Sequence, residues 1–156
     1  MKKVSIVLLA LLFCLAGMSL QAQDFQLGVF GGYATQIKAP AAGIKVNYGI
    51  KEKVRTSASA AYFFKSGVTY LEVNADAHYL IGEADAFAFY PLAGVNYFIS
   101  KVTVMGVSAT SSEVGVNLGA GVQQPLSEKM AFFAEAKYTL GNADKIMASA
   151  GLIFSF

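Results

Sequence analysis

His78 is the only histidine in a chain of 156 residues, and Asp76 stands two positions before it. On a strand, residues two apart share a face, so this places a base beside an acid that could orient it. Hydrolysis would also need a nucleophile within reach, and no serine here sits in a recognisable motif. A metal centre would want further His or Cys ligands, yet the single cysteine, Cys14, lies in an apolar N-terminal run. Gly119 and Gly121 fall in a strand pattern with no helix behind it, so no phosphate-cradling loop is expected. His78 therefore reads as a hydrogen-bonding residue of a polar interior. No catalytic residue, metal or cofactor is expected.

A wider polar set follows the same alternation: Lys45, Asn47, Arg55, Glu72, Asn74, Asp76, His78, Gln123, Glu135 and Lys137. Period-2 alternation gathers such residues on one face and leaves apolar residues on the other. Lys45 and Lys137 can pair with Glu72, Asp76 and Glu135, since buried charges need partners. Two chemistries fit: an ion-pair plug that satisfies polar groups, or a narrow ion path through rearranged pairs. The plug is the structural reading.

Eight segments must position this set: Phe25–Thr35, Ala41–Ile50, Val54–Lys65, Thr69–Ile81, Phe87–Ile99, Glu113–Gln123, Met130–Leu140 and Lys145–Phe156. In the last, Ile146, Ala148, Ala150, Leu152, Phe154 and Phe156 share one parity. Such an apolar strand would leave an open edge, whereas a closed barrel pairs its last strand with its first. Strands of roughly 9–11 residues suit a tilted bilayer crossing. Pro91 cannot donate to a ladder and is expected near a bulge or strand entrance. The turns 51–53, 82–85 and 125–129 form one set of connections, and 36–40, 65–68, 100–112 and 141–144 the opposite set. Only 100–112 is long enough for a shape of its own.

The aromatics test which face is outside. Tyr33, Tyr62, Phe64, Tyr97 and Tyr138 fall near one end of the strands. Phe25, Tyr48, Tyr79, Phe87, Phe89, Phe132, Phe154 and Phe156 fall near the other, with aliphatic residues, alanine and glycine between. Two aromatic belts around an aliphatic band describe a membrane barrel with a polar lumen. The alternatives are a two-sheet sandwich with these faces inward and a soluble barrel holding an apolar ligand. An eight-stranded barrel fills with side chains, so a wide aqueous channel is not expected.

Residues 1–22 read as a signal peptide, with Lys2 and Lys3 ahead of a short apolar core, and 23–156 as the barrel domain. Phe13 before Cys14 is too large for lipid attachment there, and the remaining chain has no cysteine for a disulfide. Without Lys2 and Lys3, ten basic residues face ten acidic ones, so nothing suggests a nucleic-acid partner.

The run GVNLGAGVQQPLSEKMAFFAEAKYTLG, Gly115–Gly141, followed by the strand ending at Phe156, resembles the small eight-stranded outer-membrane barrel family. Its members are similar to the transmembrane domain of OmpA and to OmpX. The resemblance covers nearly the whole chain after the signal, as a pattern of glycines, aromatics and turns. It implies an all-β, antiparallel up-and-down barrel crossing the outer membrane of a Gram-negative bacterium, with outer-membrane lipids around it. It also implies that Leu152, Phe154 and Phe156 form the signal read by the barrel-insertion machinery. With both termini periplasmic, the turns at 51–53, 82–85 and 125–129 face the periplasm. The short outer loops depart from adhesive members, and no anchoring domain is expected after the barrel. The expected role is structural or surface-interacting, through an unidentified outer partner. The alternatives are a narrow porin-like channel and a lipid-modifying enzyme.

Overall fold

The computed structural model describes residues 25–82, 87–104, 107–141 and 144–156. The segment read as a signal peptide lies outside the described residues. Eight strands follow in chain order: β1 Phe25–Ala34, β2 Ala39–Lys51, β3 Val54–Lys65, β4 Val68–Tyr79, β5 Ala88–Val104, β6 Val107–Ser127, β7 Met130–Gly141 and β8 Lys145–Ser155. Each pairs antiparallel with the next, and β8 pairs with β1, so the sheet closes into a barrel without a lateral edge.

The register fixes the tilt. From Phe25 it passes through Tyr48, Thr56, Ala77, Ala93, Leu118, Tyr138 and Ile146. It then returns to β1 beside Thr35, whose amide donates to the Ile146 carbonyl, ten residues beyond the start. At ~3.3 Å per residue and ~4.8 Å between strands, that stagger tilts the strands by about 40°. Each residue then adds roughly 2.5 Å of height along the barrel axis.

On that scale the outward aromatics sort by height. Phe25, Tyr48, Tyr79, Phe89, Phe132 and Phe154 form a ring near the end that carries the termini. Tyr33, Tyr62, Phe64, Tyr97 and Tyr138 form a second ring about 20 Å above it. Between them the exposed side chains are aliphatic, among them Val29, Ile44, Val95 and Leu118. The interior is polar, with Lys45, Arg55, Glu72, Asp76, His78, Glu135 and Lys137 all buried. Apolar outside and polar inside is the reverse of a sandwich or a soluble ligand-binding barrel, and neither alternative holds.

Two segments depart from the sequence reading. Among its described residues the stretch 100–112 is not a loop: β5 and β6 run on as a ribbon, paired from Ser100↔Ser111 to Val104↔Val107. Thr and Val favour extended backbone, and the Thr103 and Ser108 hydroxyls bridge the strands at 3.0 Å. The ribbon rises about 15 Å beyond the distal aromatic ring. Pro125 belongs to β6, where a register shift between Pro125 and Ser127 absorbs it. Pro91 lies four residues into β5, near the strand entrance as expected and without a bulge. The β4–β5 ladder stops at His78↔Leu92 and resumes as a single bridge at Ile81↔Phe89, and the gap falls where proline has no N–H to give.

Candidate functional site

Among the described residues polar chemistry is concentrated in the lumen, which is filled in tiers. Lys45 pairs with Glu135, and the Tyr90 hydroxyl donates to the same carboxylate at 2.8 Å. Lys137 pairs with Asp76 at 3.1 Å and Lys145 with Glu72 at 3.0 Å. An amide ladder links the last two pairs. Asn74 donates to Glu72 at 2.8 Å and accepts from Asn96 and Asn117 at 2.7 and 2.8 Å. Asn117 also donates to Asp76, and Thr139 donates to Asn117.

Nearer the termini the network changes character. Arg55 donates from Nε to His78 Nδ1 at 3.0 Å and from Nη1 to Gln123 at 2.6 Å. Its guanidinium lies 4.6 Å from the centre of the Tyr90 ring, and His78 stacks on the same ring at 4.8 Å. Asn47 donates to Gln26, which donates in turn to Ser155. Gly121 makes this cluster possible, because a Cβ there would fall inside the Tyr90 ring. Gly94 likewise lets β5 approach Ala75 and Asp76.

The far end of the lumen is closed by apolar side chains. Ala34, Ala39, Ala61, Phe63, Phe98 and Met147 form a buried cluster, with Phe30, Ile37 and Tyr70 against it. Phe98 and Tyr70 stack at 5.4 Å. The end near the termini opens instead into a vestibule of about 270 Å³ beside Gln26, Gln123, Ser127 and Ser155.

The polar residues picked out in the sequence, Lys45, Asn47, Arg55, Glu72, Asn74, Asp76, His78, Glu135 and Lys137, are thus all placed within the lumen. Gln123 is there too, half-buried at the vestibule. Leu152, Phe154 and Phe156 lie on the outward parity of the last strand, and the Phe156 ring is 6.5 Å from that of Phe25. Asp76 and His78 share a face, but their partners differ: a lysine for one, an arginine for the other.

Sequence reading missed two residues that matter. Lys145 completes the third ion pair; it opens the last strand on the same parity as Met147 and Ser149, which was signal enough to find it. Tyr90 is fully buried at the centre of the lower cluster. It falls between outward-facing Phe89 and Pro91, and only its parity distinguishes it from a belt residue.

Comparison with known proteins bears on this lumen and its wall. A family model described as an outer membrane protein beta-barrel domain matches residues 9–154. No curated protein matches the sequence. The fold is similar to the N-terminal β-barrel domain of Pseudomonas aeruginosa OprF, with a TM-score of 0.76 and 20% identity. That match covers 86% of this chain and 98% of the other. Neisserial surface protein A matches with a TM-score of 0.69 and 15% identity, over 85% and 96% of the two chains. The outer membrane enzyme PagL matches with a TM-score of 0.50 and 14% identity, over 83% and 97%. At these identities the likeness is one of fold.

Proposed function

The chain belongs to the outer membrane protein beta-barrel domain family, and from that premise we propose a non-catalytic, non-conducting envelope protein with a structural or surface-interaction role. The observation that carries this reading is the closed lumen: three ion pairs and an amide ladder beneath an apolar cap. Water and ions would have to break buried pairs to pass, and removing a charge from its partner there costs several kcal/mol. The protruding β5–β6 ribbon is the surface offered to an outer partner. Outer-membrane lipids contact the aliphatic band and the two aromatic rings. Leu152, Phe154 and Phe156 serve as the segment met by the insertion machinery.

The enzyme reading draws support only from a shared fold, and the site argues against it. His78 faces the lumen, stacked on Tyr90 and held by Arg55, out of reach of lipid outside the wall. In planar lipid bilayers the folded protein should give no discrete openings. A steady conductance that falls in Glu72→Gln or Lys137→Met would replace this reading with the channel. Acyl-chain release from outer-membrane lipid, lost in His78→Ala or Asp76→Ala, would replace it with the enzyme.

A further inference from the structure

The lower cluster holds a charge without a carboxylate of its own. Each lumen lysine has its own carboxylate: Lys45 has Glu135, Lys137 has Asp76 and Lys145 has Glu72. Among the described residues Arg55 forms no ion pair with a carboxylate, although it is buried. The other inward carboxylate, Glu113, lies at the far mouth, roughly 25 Å up the axis by the stagger of the strands. A buried cation left in that state is costly, and water brings no charge to offset it.

Hydrogen bonds that the cluster leaves open point the same way. Arg55 Nη2, Ser57 Oγ and His78 Nε2 are buried without a partner, each in a side chain more than nine-tenths covered. Arginine has only donors, so His78 Nδ1 accepts from Arg55 Nε and the ring proton sits on Nε2. That makes three unused donors. Arg55 and His78 are register partners, and Ser57 is the next inward residue along β3. Arg55 Nη2 and Ser57 Oγ, successive inward residues of one strand, can meet one small ion, while the His78 Nε2–H points away from the ring nitrogen that Arg55 holds. Asn47 Oδ1, an open acceptor cross-strand from Ser57, suits a water of that ion's shell. The vestibule leads to the spot through Gln26 and Gln123, both of which bond Arg55. Glu128 lines its rim, with Lys129 next to it in sequence.

We propose that the lumen binds a small inorganic anion of chloride size between Arg55 Nη2 and Ser57 Oγ, admitted from the end that carries the termini. The ion stops there, because Lys45–Glu135 and the apolar cap lie above. The site does not depend on the envelope role, since a conducting or enzymatic barrel with this lumen would hold the same ion.

The test uses the detergent-folded protein and chloride itself. Excess ³⁵Cl line width should appear with the protein, compete away with bromide, and be lost in Arg55→Met. Lys101→Met, on the exposed ribbon, should keep it. Equal broadening in wild type and Arg55→Met, or none in wild type, overturns the site. If Arg55→Met does not fold, wild-type crystals grown in bromide decide the matter. An anomalous peak at hydrogen-bonding distance from Arg55 Nη2 supports the site, and water alone at that position overturns it.

Discussion

Lys145 shows how a single residue can complete a buried network. Its ammonium meets Glu72 at 3.0 Å, with both side chains almost fully covered. Removing one partner strands the other, and breaking such a pair costs about 3–5 kcal/mol, whereas removing both together is often near neutral. Lys145→Met should therefore lower stability by about 3–5 kcal/mol, and Glu72→Gln in the same chain should restore most of it. Urea unfolding of the protein in lipid vesicles measures both. Equal losses in the single and double variants would mean that the pair is not coupled.

At the scale of the strand, the consequence of a substitution depends on which face it meets and at what height. Ile44 points outward about halfway between the two aromatic rings, and Val114 points outward level with the distal one. Ile44→Arg should cost about 2–4 kcal/mol and Val114→Arg about 0–1 kcal/mol, because a charge at the bilayer midplane cannot reach water. The same unfolding measurement separates them. A reversed order would mean that the belts do not mark the membrane boundaries. Strand boundaries were legible wherever apolar residues alternate with polar ones, as in Leu71, Val73, Ala75 and Ala77 of β4. They were not legible in 100–112, where serine and threonine suit loops and strands alike. There the cross-strand partner decides, and a sequence read one segment at a time has no partner to consult.

For the whole molecule, the tilt and the closed lumen set which parts meet which compartment. The ribbon stands clear of the distal ring and ends the barrel on that side, while the termini and the vestibule lie on the other. With periplasmic termini, a cysteine at the ribbon should react with a membrane-impermeant maleimide in intact cells. Ser108→Cys is suited to this, since Ser108 is exposed and the chain's only cysteine, Cys14, precedes the barrel. Labelling only after the cells are broken would invert the orientation and move the vestibule to the outer face. Unboiled protein should also migrate differently from boiled protein on SDS gels, since a closed ladder without edges resists detergent.

The sequence by itself determined the architecture. Period-2 alternation assigns each side chain to a face, and the clustering of aromatics at strand ends marks that face as the one against lipid. It also supplied which polar residues share the interior. Who pairs with whom was decided only by tertiary structure. Parity says that Lys45, Lys137 and Lys145 point inward, but the ten-residue stagger sets their heights, and height selects Glu135, Asp76 and Glu72 as partners. The same stagger leaves Arg55 beside His78 and Tyr90, in no ion pair with any of those carboxylates. Alternation is a property of each strand alone, whereas register is a property of all eight closing together.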